Sequence, residues 1–157
     1  MTWNRVKNAS KYLVFGGKCG KKYGYLTTVS GTRYHQKKLK KGTYYKYLIV
    51  AVDSTGKTLA TSKVIHVATK GGKAGNTYKV KTVKKVTLKK GKSKKLKVTL
   101  KNKGKLSKHR KVSFESVNSK IATVSKSGKI KGKKKGKTTI YVYAQNGVYA
   151  KVFVTVK

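Results

Sequence analysis

The sequence predicts an all-β chain folded as two small β-sandwiches in series, and three observations predict it. Short segments in which apolar residues alternate with lysine recur along the whole length, which is the two-residue period of a half-buried strand. Proline is absent, the 16 glycines fall mostly between those segments, and the 3.6-residue period of a helix is hard to find. One stretch breaks the alternation: Lys70-Gly71-Gly72-Lys73-Ala74-Gly75-Asn76-Thr77 is polar and glycine-rich and reads as a linker. The expected division is therefore 1–69, a linker over 70–79, and 80–157. A net charge of +40 on a chain of 157 residues raises the alternative of disorder. The ordered alternation argues for a fold.

In the first half, strands are expected near Lys11–Phe15, Tyr23–Val29, Thr43–Asp53 and Leu59–Ala68, with Asp53-Ser54-Thr55-Gly56 as the turn between the last two. Trp3, then Ala9-Ser10-Lys11-Tyr12-Leu13-Val14-Phe15, then Leu39-Lys40-Lys41-Gly42-Thr43-Tyr44-Tyr45, with Tyr47, Ile49 and Ala51 continuing the alternation, form one pattern. Over residues 2–69 it resembles a fibronectin type III domain, with Lys41 where that family often has proline. The resemblance implies that Tyr45 is a tyrosine corner, its hydroxyl bonded to nearby backbone. It also puts a first strand, and the start of a second, before Trp3. The chain is therefore expected to be a fragment of a larger secreted protein.

In the second half, strands are expected over Val80–Leu88, Ser93–Leu100, Lys111–Phe114, Ile121–Ser125, Lys129–Ile130, Thr138–Ala144 and Val148–Val156. The motif Ser116-Val117-Asn118, Ile121-Ala122-Thr123-Val124, Gly128, followed by Gly136-Lys137-Thr138-Thr139-Ile140, is dense. Together with Leu88–Leu96 and Val112–Phe114, it resembles the group 2 bacterial immunoglobulin-like domains of bacterial surface proteins, over residues 80–157. Phe114 stands where tryptophan is usual in that family. The two likenesses together imply two immunoglobulin-like sandwiches in tandem.

The last hairpin allows a register to be deduced. Ile140, Val142 and Ala144 must share the buried face with Ala150, Val152, Val154 and Val156, and partners across a ladder share a face. A two-residue Asn146-Gly147 turn would set Val142 against Lys151 and bury a charge. A three-residue loop, Gln145-Asn146-Gly147 with Gly147 left-handed, pairs Ile140 with Val152 and Val142 with Ala150. It sets Tyr143 opposite Tyr149 and Tyr141 opposite Lys151. Tyr141, Tyr143, Tyr149 and Phe153 then form a possible aromatic surface on the outer face. Such rings can stack on sugars or join another domain, while the plainer reading is cross-strand support of the hairpin.

Charge supplies the other functional signal. Of 42 basic residues only Arg5, Arg33 and Arg110 are arginine, and the only acids are Asp53 and Glu115. The formal charge is +13 over residues 1–69 and +27 over 70–157. Lysine is a hydrated, flexible point charge without the planar fork that reads bases or grips one phosphate bidentately. A lysine surface therefore suits a repeating anionic polymer better than a specific nucleic-acid sequence. The densest run, Lys129, Lys131, Lys133, Lys134, Lys135 and Lys137, reads as a cationic turn for docking polyanions, or as a solvated loop sharing the overall bias.

Catalytic chemistry finds little support. Two carboxylates about 5–10 Å apart are needed for acid–base hydrolysis of glycosides, and the two acids fall in different predicted domains. His35, His66 and His109 read as isolated, with no second ligand at metal spacing, so no metal and no cofactor are expected. Cys19 has Lys21 and Lys22 nearby to depress its pKa, but no acid or oriented histidine completes a nucleophilic pair, so it reads as a free loop or edge cysteine. No run of about 18 apolar residues marks a membrane span, and the start lacks the pattern of a signal peptide.

The expected function is a non-catalytic module, extracellular or on the bacterial cell surface, that serves adhesion or spacing. Its expected partners are anionic polymers of the cell envelope, such as teichoic acid or another glycan, or a host surface. It is expected to be a monomeric fragment with no specific nucleic-acid partner. The alternatives are a cytosolic protein binding nucleic acid without sequence preference, and an accessory domain of a larger secreted enzyme.

Overall fold

The computed structural model describes residues 1–106 and 108–157. All regular structure among them is β: fourteen strands and no helix. The chain divides into two compact units, Met1–Gly75 with Gly104–Leu106, and Asn76–Lys103 with the segment from residue 107 to Lys157. A strand begins at Thr77, so the expected linker over 70–79 is not irregular throughout. Thr77 is buried there, its hydroxyl donating to Asn102 Oδ1 at 2.6 Å. A hydroxyl satisfied inside a sheet cannot be told from a linker threonine by composition.

The first unit is one five-stranded antiparallel sheet. Its strands are β1 (Lys11–Lys18), β2 (Gly24–Val29), β3 (Tyr44–Val52), β4 (Thr58–Thr61) and β5 (Ile65–Ala68). The order is β2-β1-β3, with both β4 and β5 on the free edge of β3. The single strand expected over Leu59–Ala68 is thus two. Between them Ser62 interrupts the ladder: the Ile49 N–H donates to its Oγ at 2.9 Å, and its own N–H donates to the Ile49 carbonyl at 2.8 Å. Period-2 alternation places Tyr12, Val14, Ile49 and Ala51 on one face, where all are buried. Met1, Trp3, Val6, Ala9 and Tyr34 pack over them from segments without regular strands. The second layer of this unit is reduced to one bridge, Thr2 to Arg33. Tyr45 behaves as the tyrosine corner requires: its hydroxyl accepts the Lys40 N–H at 3.1 Å.

The second unit has three small sheets around one core. β10 (Val112–Ser116), β13 (Gly136–Ala144), β14 (Tyr149–Val156) and β7 (Lys85–Leu88) form the largest, in that order. β11 (Ala122–Val124), β12 (Lys129–Gly132) and β8 (Ser93–Lys95) form the second; β6 (Thr77–Lys81) pairs with β9 (Thr99–Asn102) in the third. Two segments expected as single strands, Val80–Leu88 and Ser93–Leu100, each contribute to two different sheets. β7 runs parallel to β14, with Val86 beside Val154 and Leu88 beside Val156. Ile130, Ile140, Val142, Val152, Val154 and Val156 are almost wholly shielded from solvent and form the centre of the core. Removing that much apolar surface from water is the main force holding the unit against its own charge.

The hairpin register is the one deduced. Ile140 pairs with Val152, Val142 with Ala150, Tyr141 with Lys151 and Tyr143 with Tyr149. Gly147 has φ of 88°, and the loop closes by Gly147 N–H to the Ala144 carbonyl at 3.0 Å and Ala144 N–H to the Val148 carbonyl at 2.8 Å. A left-handed residue is required at that position, which glycine adopts without a side-chain penalty.

Candidate functional site

The lysine run does not form one turn. Lys129 and Lys131 lie within β12, alternating with the buried Ile130 and Gly132, so the pleat sends both to the outer face. Across the ladder Lys129 faces Lys95 and Lys131 faces Ser93. Lys133 and Lys134 follow the strand, both backbone N–H groups donating to the Ile121 carbonyl, at 2.8 and 3.2 Å. Lys137 belongs to the other sheet, opposite Thr155. The structure therefore gathers Lys95, Lys129 and Lys131 on one small sheet and separates Lys137 from them. The Lys95–Lys129 pairing is between like charges directly opposite each other, an arrangement that weakens a sheet. Nothing in the sequence marks Lys95 as a neighbour of this run, since the contact depends on which strand β12 pairs with.

The aromatic residues come together as the register requires. Reading across β10, β13 and β14, one row holds Ser113, Tyr143 and Tyr149, and the next holds Glu115, Tyr141 and Lys151. A third row puts Thr139 beside Phe153, which neighbours Lys85 of β7. The Tyr141 and Tyr143 rings lie 5.6 Å apart and nearly parallel at 11°, while Tyr149 meets them edge-on or tilted at 5.4 and 5.8 Å. Tyr149 and Phe153 are about half exposed, at 52% and 53%. Lys151 Nζ stands 5.6 Å from the centre of the Tyr141 ring, within the range of a cation–π contact. Tyr143 is hydrogen-bonded to Glu115, and burial, followed by the Glu115 charge, pushes its pKa up to about 12. Glu115, missed as a member of this face by sequence reasoning, could have been found from the alternation of β10 with Phe114 facing inward.

Cys19 and His66 require a correction. Cys19 follows β1, tied by its N–H to the Tyr44 carbonyl at 2.9 Å, and His66 lies in β5 opposite Lys46. Their side chains meet, Sγ to Nδ1, at 3.4 Å. His66 is therefore not isolated, and Cys19 does have a histidine beside it. The expected depression of the thiol pKa is also reversed: burial raises it, against a smaller opposing effect of Lys46. With its pKa raised, the thiol stays neutral and is a poor nucleophile.

The two acids are engaged locally. Asp53 Oδ1 accepts from the Thr55 N–H at 2.9 Å, the Thr55 hydroxyl at 2.7 Å and the Lys57 N–H at 3.0 Å. These bonds, led by that of the Thr55 hydroxyl, hold its pKa below the usual carboxylate value. Asp53 belongs to the first unit and Glu115 to the second. The first unit also carries a cleft of about 260 Å³ lined by Trp3, Asn4, Val6, Tyr12, Ile49, Ala51, Ala60, Thr61 and Ser62. Its lining is mostly apolar and holds no carboxylate, histidine, lysine or cysteine.

A family model described as the bacterial Ig-like domain (group 2) matches residues 76–156. No curated protein matches the sequence. Among solved structures, domains 4 and 5 of the S-layer protein SbsC are similar at 25% identity and a TM-score of 0.46, over 71% of this chain and 64% of that one. The C-terminal 282-residue fragment of intimin, in complex with the intimin-binding domain of its translocated receptor, is 18% identical with a TM-score of 0.36, over 97% of this chain and 53% of that one. Fibronectin(III)-like modules of Clostridium thermocellum CbhA are 17% identical with a TM-score of 0.31, over 99% of this chain and 82% of the other. The chain thus spans less than two thirds of the length of the SbsC and intimin structures.

Proposed function

We propose, for a chain that belongs to the bacterial Ig-like domain (group 2) family through its residues 76–156, a non-catalytic role at the bacterial surface. It acts as an adhesion or spacer module held electrostatically to anionic polymers of the cell envelope. The observation that carries this reading is the excess of lysine, +40 in net charge with three arginines and two acids. Unlike charges that neutralise one another within a fold, these include a directly opposed lysine pair, Lys95 and Lys129, on an open sheet face. A surface of this kind gains by neutralising a polyanion's charge and releasing its counterions, whichever polymer supplies the anions. The distribution of the lysine run over two sheets favours diffuse attraction over a shaped phosphate site.

The groups present support a non-catalytic role. Asp53 is engaged in its own turn and Glu115 is bonded to Tyr143, in separate units. Cys19 is a protonated thiol at neutral pH. The test is binding to purified cell walls with and without teichoic acid, and to duplex DNA, over a salt series. Tighter binding to teichoic acid-bearing walls than to stripped walls or DNA, weakening as salt rises, supports the reading. Equal affinity for DNA and walls leaves only unselective polyanion binding and refutes the envelope assignment.

A further inference from the structure

The face of the β10-β13-β14 sheet differs from the rest of the second unit in chemistry. It holds that unit's one carboxylate, Glu115, and three tyrosines in mutual ring contact. It is therefore the least cationic sheet face of a strongly cationic unit, and a polyanion has denser lysine to bind elsewhere. We propose that this face is a separate site for a neutral pyranose ring of a glycan chain, stacked on the open ring of Tyr149, which Tyr141 and Tyr143 support edge-on or tilted. The occupant follows from charge complementarity. The face of an aromatic ring carries negative quadrupole charge, and the C–H bonds on one side of a pyranose carry a weak positive polarity that meets it.

The polar groups around the rings fit the same ligand. Glu115 accepts hydrogen bonds and Lys151 donates them, in the row that also holds Tyr141. Sugar hydroxyls both donate and accept, so they use both flanks, and a few placed polar groups among aromatic rings are what orients a small ligand. Tyr149, half exposed on the final strand, presents the most open ring of the three tyrosines. Phe153, two rows along from Tyr149, lies in line for a further sugar in the same chain.

The site is separable from the electrostatic reading by salt. Charge-driven binding is lost in 0.5 M sodium chloride, where the screening length falls to about 4 Å, while stacking persists. Aromatic carbon–proton shifts of the whole chain are followed in that salt during titration with the β-1,4-linked N-acetylglucosamine hexamer, cellohexaose and maltohexaose. At least one hexasaccharide is expected to shift the Tyr141 and Tyr149 resonances selectively. Tyr149→Ala is expected to weaken that binding about tenfold or more, the scale of losing an anchoring aromatic, and Tyr149→Phe to retain it. Unchanged backbone shifts in both variants establish that the fold is kept. No tyrosine shift with any of the three sugars overturns the proposal, as does equal weakening by both variants. Self-association that Tyr149→Ala abolishes, measured by sedimentation, would also overturn it by assigning the face to a second copy.

Discussion

Gly128→Ala is a severe perturbation whose cost follows from two features of the structure. Gly128 lies in the turn between β11 and β12 with φ of 80°. A Cβ added there would stand 2.7 Å from Phe114 Cζ, with Cε1 at 3.1 Å and Cε2 at 3.3 Å. The left-handed conformation costs an L-residue about 1–2 kcal/mol, and forcing an extra carbon against a packed ring costs about 1–3 kcal/mol. The second unit should therefore lose about 2–5 kcal/mol. For a unit of this size each kcal/mol moves the melting temperature by about 4–8 °C, so a fall of at least about 8 °C is expected. Methyl resonances of Val152 and Val154, both buried in this unit's core, follow the transition; Trp3 fluorescence reports the other unit. Phe114→Leu in the Gly128→Ala background should recover the steric share, so that the two losses do not add. A fall below about 4 °C, or strictly additive losses, would refute the assignment of Phe114 as the group resting on Gly128.

Other expected outcomes follow from the same geometry. Lys129→Glu turns the repulsive pair with Lys95 into an attractive one, and should stabilise the second unit by about 0.2–1 kcal/mol at low salt. That gain should vanish near 1 M salt in thermal melts, where the screening length is about 3 Å; a gain that persists would show another cause. Tyr47 and Tyr143 have pKa values pushed up to about 12, in each case chiefly by burial. Both stay protonated in the fold at a pH where the unfolded chain has ionised, so their contribution is complete below pH 10 and is lost as pH rises towards about 12. Absorbance titration at the tyrosinate band should show a late step diminished by Tyr143→Phe and by Tyr47→Phe. Cys19 should react with iodoacetamide at neutral pH more slowly than a free thiol, because burial raises its pKa. Rapid alkylation would contradict the neutral Cys19–His66 hydrogen bond.

What the sequence could reveal was set by how far each choice depended on neighbouring residues. The register of the last hairpin was deducible because slipping it by one residue would bury Lys151. The Tyr45 corner was deducible from a short pattern, and its bond to Lys40 spans five residues. The division of Val80–Leu88 into β6 and β7 was not deducible. Val80, Val86 and Leu88 are all buried and keep the same even phase on both sides of the exposed Val83 and Lys84, and that shared phase does not show that the segment changes sheets. Periodicity reports the face of a residue and is silent about the partner strand. For the same reason Lys95 opposite Lys129, and Cys19 beside His66 at a separation of 47 residues, had no local signature.

The proposed function has this lysine surface binding envelope polyanions diffusely. It is tested most directly by two variants of equal charge. In one, Lys129, Lys131, Lys133, Lys134 and Lys135 become glutamine; in the other, the exposed Lys79, Lys81, Lys84, Lys97 and Lys101 do. Affinity for teichoic acid-bearing walls is measured for both across a salt series. The prediction is an equal loss in the two variants and a fall in log affinity with log salt shallower than that of the parent chain. Loss confined to the first variant, or wall binding indifferent to salt, would contradict it.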